Sequence, residues 1–372
     1  MKSRKIISMV LITTATVLLG ACGASDKAGD TKVIVKQDED KEETVNEHPE
    51  VQPEETEDSQ NKERFIGATP KLPEDDTAKD TEIYRDFING KSKLSLTFYC
   101  DNIFDEENYD THDFSDIRDK SLTFIEFLEE FEKKAYIEIS AVAYSYIDCG
   151  ADGKKELALE IQSGDGEAPY ENDYVVIKDI DGELQLVYML DGECGANGWN
   201  DLNEFGYIMT SGQGIATTRY YVDALIDAEG YYKYGYSSYD GEPRLSLEQF
   251  YEIEATSMDY EKCDKLSKAA DAHGVVPMFY EAKIPSVDNI MDENAKKYYC
   301  VEFYNKRDEI VDVNKIKDKD FYKNIMEEFK DIKFISKEEY DKKIADRKAA
   351  IGLTDKICSG DMPKYTEILN LQ

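Results

Sequence analysis

Hydrophobic and polar residues alternate over several short segments in the middle of the chain, and these segments are rich in β-branched and aromatic side chains. This period of two predicts strands at residues 136–147, 156–162, 174–180, 184–190, 207–210, 215–226 and 231–237. Turn-forming pairs separate several of them, namely Asp181-Gly182, Asp191-Gly192, Glu229-Gly230 and Asp240-Gly241. Such pairs favour tight hairpins, so the segments predict an antiparallel meander or two sheets packed as a sandwich.

Apolar residues at helical spacing flank this β-rich region. The clearest case is an amphipathic helix over residues 121–134, whose apolar positions are Leu122, Ile125, Leu128 and Phe131. The remaining patterns predict a short helix at 83–88, strands at 94–99 and 297–304, helices at 247–272 (with breaks) and 321–329, and a helix to about 350 that opens with the capping box Ser336–Glu339. The predicted fold class is α+β, with an antiparallel β meander or sandwich-like core flanked by helices.

The first 21 residues have the organisation of a signal peptide. Lys2, Arg4 and Lys5 precede an apolar run at 6–19, which is too short to cross the roughly 30 Å hydrocarbon core of a bilayer as a helix. The run ends in Leu19-Gly20-Ala21-Cys22, which resembles the lipobox of bacterial lipoproteins. The resemblance implies that diacylglycerol is attached to Cys22 and the chain is cleaved before it. Acyl chains such as palmitate would then hold the protein on the outer face of the cell membrane. The alternative is an ordinary secretory signal followed by a chance cysteine.

The next stretch, residues 22–80, is rich in acidic residues and nearly devoid of aromatic ones. A segment with so little to bury does not offset its ordering entropy. We therefore predict a disordered acidic tether, which precedes a single α+β extracellular domain at 81–372. That domain would be β-rich over 136–240 and helix-rich over 245–372.

The charge of the chain limits its partners. It carries 80 acidic and 45 basic residues, for a net charge of −35, and this balance argues against nucleic acid and anionic lipid headgroups. Contact with the membrane is thus expected through the lipid anchor only. Six further cysteines permit disulfides in an extracellular setting, with the pairing left open: Cys100, Cys149, Cys194, Cys263, Cys300 and Cys358.

One short motif has the pattern of a metal-binding loop. The segment Asp148-Cys149-Gly150-Ala151-Asp152-Gly153-Lys154-Lys155-Glu156-Leu157 resembles the calcium loops of FG-GAP-type repeats in bacterial surface proteins. The resemblance implies calcium as a cofactor, with Asp148, Asp152 and Glu156 as ligands and Gly153 at the turn. Gly150 stands where a third carboxylate is expected, and the motif occurs once. The alternative is a glycine-turned hairpin whose acidic side chains face water.

Aromatic residues suggest a binding surface. Strand alternation places Tyr232, Tyr234 and Tyr236 on one face, and Trp199 lies in a Gly-Asn loop nearby in sequence. Tyrosine combines an apolar ring with a polar tip, so such a face suits stacking on sugar rings or contact with a protein partner. The alternative is an ordinary tyrosine-rich sheet.

The sequence shows no complete catalytic set. It contains no HExxH, GxSxG, Walker or GxGxxG motif, and a cysteine-peptidase arrangement would have to join Cys149 to the distant His273. We assign no catalytic residue and predict a lipid-anchored binding or interaction module. Alternatives are a solute-binding lipoprotein of a transporter and a hydrolase of polymers at the cell surface. Residues 83–240, with Ile177-Lys178-Asp179-Ile180-Asp181-Gly182, also resemble lipoproteins of anaerobic Gram-positive bacteria that have no assigned activity.

Overall fold

The computed structural model describes residues 64–102, 112–164, 171–190, 199–213, 219–239, 245–254, 259–286 and 294–371. All of them belong to one compact unit, Glu55–Gln372. The predicted signal peptide, Cys22 and the tether as far as residue 63 lie outside the described residues.

The helices lie before, between and after the strands. They are α1 (Glu82–Ile88), α2 (Thr97–Asn102), α3 (Phe124–Ala135), α4 (Leu247–Glu254), α5 (Tyr260–Asp271), α6 (Asp320–Glu328), α7 (Lys337–Ala350) and α8 (Asp355–Cys358). Short 3₁₀ segments occur at Lys79–Thr81, Ser115–Ile117, Cys149–Ala151 and Val313–Lys315.

Three of these helices, α3, α4 and α7, begin with the same local pattern. Each has an apolar residue before a Ser or Thr cap, a Glu or Gln three residues after the cap, and an aromatic residue next. The cap hydroxyls of Ser246 and Ser336 each accept a backbone N–H at 3.2 Å, and the aromatic residues are fully buried, namely Phe127, Phe250 and Tyr340. The Glu126 and Gln249 side chains in turn accept the backbone N–H of Thr123 and Ser246 and complete capping boxes. The cap and the hydrophobic staple set where each helix starts and how it enters the core. Of the capping box predicted at Ser336–Glu339, the bond from the Glu339 N–H to the Ser336 hydroxyl is confirmed.

The strands of the first half are β1 (Leu94–Ser95), β2 (Ser121–Leu122), β3 (Ile139–Ile147), β4 (Glu156–Ser163), β5 (Glu171–Ile180) and β6 (Glu183–Leu190). Those of the second half are β7 (Trp199–Leu202), β8 (Tyr207–Gln213), β9 (Arg219–Ile226), β10 (Tyr232–Tyr239), β11 (Leu245–Ser246), β12 (Val275–Ile284), β13 (Lys296–Asn305), β14 (Phe334–Ile335) and β15 (Thr366–Asn370).

Among the described residues these strands form two sheets. The first has the order β15-β3-β4-β5-β6-β1-β2, and the second has β14-β13-β12-β10-β9-β8-β7 with β11 added on β12. Pairing is antiparallel except where β1 meets β6 and β13 meets β14. The α+β class with mostly antiparallel sheets is therefore confirmed.

Alternation along the strands divides the first sheet into two apolar faces. Leu157, Leu159 and Ile161 face a core shared with α1 to α3. Ala158 points the other way, into a second core that includes Ile208 and other residues of the second sheet. The two sheets therefore pack on each other through this second core, with helices on the outer side of the first sheet, as the sandwich-like prediction required.

The second sheet is covered by the C-terminal helices. Leu225 of β9 packs against Ile351, Leu353 and Ile357, which follow or belong to α7 and α8. Further along the sheet, α4 to α6 pack on Phe279 and its neighbours. The last strand, β15, returns to pair with β3 of the first sheet, so the C-terminal segment contacts both sheets.

The ordered fold starts earlier than the predicted boundary at residue 80. Phe65 is buried in the core beneath the first sheet, Lys71 donates its backbone N–H to Ile368 O at 2.8 Å, and the Asp76 carboxylate accepts the hydroxyls of Tyr144 and Tyr146, each at 2.9 Å. Residues 64–80 thus belong to the domain and not to the tether. The polar composition of this segment predicted a tether, because only a few of its side chains, such as Phe65 and Asp76, contact the domain.

The predicted strand at 94–99 is wrong in its second half. Leu94 and Ser95 form a short strand, but helix α2 begins at Thr97, whose N–H is 3.3 Å from the Ser95 hydroxyl. A short apolar run fits both periods, so pattern alone does not separate the two structures. The pattern also left β12 and β15 unassigned.

Candidate functional site

The 148–156 loop joins β3 to β4 and is organised mainly by its own side chains. Asp148 Oδ1 accepts the Gly153 N–H at 2.8 Å. Asp152 Oδ1 accepts the Lys154 N–H at 2.8 Å. Contacts of this kind are typical of turns in which Asp bonds to the backbone just ahead of it. Two of the three predicted calcium ligands therefore stabilise the turn.

The third predicted ligand, Glu156, points into the protein. Its side chain is 1% exposed and forms an ion pair with Lys178 Nζ of β5, which is 7% exposed. Its other oxygen accepts the Cys149 N–H at 2.7 Å. Burial raises the pKa of Glu156, and the ammonium of Lys178 opposes that rise. The carboxylate is thus occupied by a cation that belongs to the chain.

These contacts bear on the calcium prediction. No group of three or more His, Cys, Asp or Glu side chains is placed to hold a metal ion within the part of the chain that the structure describes. The observed contacts of Asp148, Asp152 and Glu156 do not fit the coordination that the resemblance implies, because an ammonium lies against Glu156. Calcium binding itself stays a prediction that titration tests.

The loop also contacts the second sheet. Asp148 donates its N–H to Glu204 O at 2.8 Å, and Gly150 donates to Phe205 O at 3.0 Å. Gly150 has φ +73°, and a Cβ there would lie 2.5 Å from the backbone nitrogen of Ala228. The position that departs from the calcium-loop pattern therefore needs glycine for close packing between the sheets.

Helix α1 fixes the loop from another side. The hydroxyl of Tyr84 donates to Lys155 O at 2.7 Å and accepts the Asp179 N–H at 3.1 Å. Burial raises the pKa of Tyr84, so this phenol stays protonated and keeps its role as a donor. One side chain thus connects α1, the loop and β5.

The predicted tyrosine face is wrong for Tyr236. Tyr232 and Tyr234 pair with Ile226 and Ala224, whereas Tyr236 pairs with Asp223 after a register shift. Ala224 and Asp223 are adjacent in β9, so the bulge turns Tyr236 to the opposite face of the sheet. A Cβ at Gly235 would collide with the backbone oxygen of Asp223, so the bulge needs glycine at this position.

The three tyrosines are mostly withdrawn from solvent. Tyr234 is buried, and Tyr232 packs against the core between the sheets. Tyr236 lies with Tyr280 and Tyr340 under α7. The fourth predicted residue, Trp199, opens β7, and its side chain lies outside the described set. A ligand role for these four residues stays a prediction, but the structure does not present the described three as one open surface.

On the outer face of the second sheet, Asp223 is buried and accepts the hydroxyl of Tyr207. Burial, together with Asp223, raises the pKa of both Tyr207 and Tyr236. Helix α7 adds Arg347, which donates to the backbone oxygens of Tyr234 and Gly235. These contacts fasten α7 to the bulge.

A buried carboxyl pair was not anticipated from the sequence. Lys297 Nζ lies 3.0 Å from Glu281 Oε1 and 2.8 Å from Glu254 Oε1, and Tyr299 donates its hydroxyl to Glu254 at 2.9 Å. Burial raises the pKa of Glu281 to about 7, with Lys297 opposing and Glu254 adding to the rise. The signal in the sequence is a lysine and a tyrosine two residues apart in β13, but only the pairing with β12 places them beside Glu281.

The five cysteines that the structure describes are free thiols. Cys149, Cys263 and Cys300 are buried, and Cys100 and Cys358 are half-buried. Burial raises the pKa of Cys149 well above its usual range, which is the reverse of what a nucleophilic thiol needs. His273 stacks instead on Phe321, with ring centroids 4.9 Å apart. The structure thus gives Cys149 the environment of a core residue.

Comparison with known proteins adds no relative. No protein-family model, curated protein or solved structure matches this chain. Across the described ranges, none of the helices is both long and apolar enough to cross a membrane.

Proposed function

We propose that this protein is a lipid-anchored protein of the outer cell surface whose folded domain is a non-enzymatic binding module. The observation that carries the anchoring is Leu19-Gly20-Ala21-Cys22 directly after a cationic and apolar leader. Two acyl chains on Cys22 hold a protein on a membrane where one is marginal, since each buried methylene contributes about 0.8 kcal/mol.

The side chains best suited to chemistry are engaged within the fold. Glu156 is paired with Lys178, and Glu254 and Glu281 share Lys297. The thiol of Cys149 is fully buried. These contacts favour a structural role for the groups concerned and so support a binding module over a hydrolase. The transporter alternative implies two lobes built of β-α-β units, whereas the strands here form two mostly antiparallel sheets.

One exposed aromatic residue, Tyr231, lies beside the predicted tyrosine face. Tyr231 is 40% exposed and contacts Phe98 of α2 with ring centroids 5.0 Å apart. Lys233 Nζ lies over the face of this ring, 5.3 Å from its centre, and 3.7 Å from Asp227 Oδ2. The exposed part of Tyr231, with this ammonium as a donor beside it, suits contact with a neutral sugar. The net charge of −35 disfavours anionic polymers. We assign this surface to a neutral glycan.

Two experiments test the proposal. In cells given radiolabelled palmitate, the Cys22→Ser protein should carry no label, while the Cys358→Ser protein should carry it; a labelled Cys22→Ser protein contradicts the anchor. On an array of neutral glycans, Tyr231→Ala should abolish a signal that Tyr136→Ala retains, since Tyr136 is 95% exposed and belongs to another surface. Equal binding by both variants, or binding only to proteins, contradicts the glycan surface.

A further inference from the structure

A cation supplied by the chain itself, the ammonium group of Lys178 in β5, lies against Glu156 at the end of the 148–156 loop. The side chains of Lys178 and Glu156 are 7% and 1% exposed. Two charges withdrawn so far from water depend on each other, because either one alone would bear the full cost of desolvation. Removing either partner should therefore destabilise β4 and β5 where they meet the loop.

The second sheet closes over the lysine. A Cβ at Gly230, in the turn between β9 and β10, would lie 3.3 Å from Lys178 Cδ. Gly230 has φ +93°, so this turn combines a backbone conformation that favours glycine with close approach to the lysine stem. On the opposite side, the Cys149 N–H donates to Glu156 at 2.7 Å. The ammonium thus lies where the loop, the first sheet and the second sheet meet.

We propose that the ammonium of Lys178 replaces the calcium ion of the loops that this segment resembles. A calcium ion in such a loop neutralises its carboxylates and connects the strands on either side. Here Lys178 neutralises Glu156 from the adjacent strand, and one oxygen of Asp148 and one of Asp152 each accept a backbone N–H group. The loop closes without a metal, and the fold is independent of calcium.

The first test uses the unaltered full chain. Thermal unfolding followed by circular dichroism, in EDTA and in millimolar calcium chloride, should give the same melting temperature, and magnesium chloride serves as the ionic control. A ligand that binds only the folded state raises the melting temperature once its concentration exceeds the dissociation constant. A rise in calcium that magnesium does not reproduce overturns the proposal.

The second test removes the ammonium group of Lys178. Lys178→Ala should melt well below the unaltered chain in EDTA, and calcium, but not magnesium, should raise its melting temperature. The control is Lys268→Ala, since Lys268 lies on α5, away from the loop, and its side chain is 76% exposed; it should behave like the unaltered chain in every buffer. If Lys178→Ala does not fold in EDTA, recovery of its folded spectrum in calcium is the equivalent readout. A variant that melts like the unaltered chain, or that calcium does not affect, contradicts the replacement.

Discussion

The rings of Tyr188 and Tyr232 stack face to face, with centroids 5.1 Å apart and planes inclined by 8°. Tyr188 belongs to β6 of the first sheet and Tyr232 to β10 of the second. The contact therefore joins the two layers at the core that holds them together. A tyrosine that alternation alone would place on a binding surface is part of the packing between the sheets.

Truncating Tyr232 should weaken the fold. Tyr232→Ala removes the ring that stacks on Tyr188 and leaves a cavity between the sheets, so we expect the free energy of unfolding to fall by about 2–4 kcal/mol. Tyr231→Ala, one residue away and more exposed, should cost about 1 kcal/mol or less. Chemical denaturation measures both values. Equal stability of the Tyr232→Ala variant and the unaltered chain would show that the stack does not hold the sheets together.

Alanine substitutions at Gly150 and Gly182 distinguish the cost of backbone strain from the cost of lost close packing. Gly150 and Gly182 both have positive φ, but a Cβ would collide with Ala228 only at Gly150, while nothing lies within 4 Å at Gly182. Gly182→Ala should cost about 1 kcal/mol for its backbone conformation. Gly150→Ala should cost at least about 2 kcal/mol more, because the second sheet must move. Denaturant titration of the two variants provides the comparison, and equal costs would contradict the packing role of Gly150.

Local sequence patterns predicted the positions of helices, strands and turns better than they predicted which of these elements contact each other. The helix predicted at 121–134 is Phe124–Ala135, with a capping box at Thr123. Asp181-Gly182 does form a tight turn, with φ +55° and +89°. These features depend on residues within a few positions of each other. Alternation or helical spacing therefore reveals them.

The candidate sites depend on contacts between distant residues. Glu156 and Lys178 are 22 positions apart, and they meet because β4 pairs with β5. Tyr236 turns away from Tyr234 because the register shifts at Gly235, where the Asp223 backbone leaves no room for a Cβ. Neither contact leaves a periodic trace in the sequence. Both contacts follow from the strand register, which places residues that are distant in sequence side by side.

Glu281 should make stability depend on pH. Its pKa is raised to about 7 in the folded state from an ordinary value of 4.5, so the folded protein keeps a proton that the unfolded chain releases. Below pH 4.5 the raised pKa of Glu281 makes its full contribution to the free energy of unfolding. This contribution, up to about 3 kcal/mol, is lost as the pH rises from 4.5 to about 7.

The measurement is urea denaturation at a series of pH values. Glu281→Gln should show a smaller decrease between about pH 4.5 and 7 than the unaltered chain. Glu261→Gln serves as the control because the Glu261 side chain is 80% exposed, and it should follow the unaltered chain. Parallel curves for Glu281→Gln and the unaltered chain would contradict the raised pKa.

The buried thiols should resist alkylation. Burial raises the pKa of Cys263 to about 11 and that of Cys300 to about 12, and the pKa of Cys149 is also well above its usual range. Little thiolate is present near neutral pH, and the sulfur atoms are covered. Iodoacetamide should therefore modify these three cysteines only after denaturation, as peptide mass spectrometry would show. Modification of native Cys149 at the rate of a small thiol would contradict its place in the core.

Lipid attachment at Cys22 is the central claim, and the mass of the amino-terminal peptide tests it most directly. The protein would be extracted in detergent from the membrane of the cell that produces it and then digested. The expected peptide begins at Cys22 and carries a diacylglyceryl group in thioether linkage to its sulfur. A peptide that begins at another residue, or one with an unmodified Cys22, would contradict the proposed anchor.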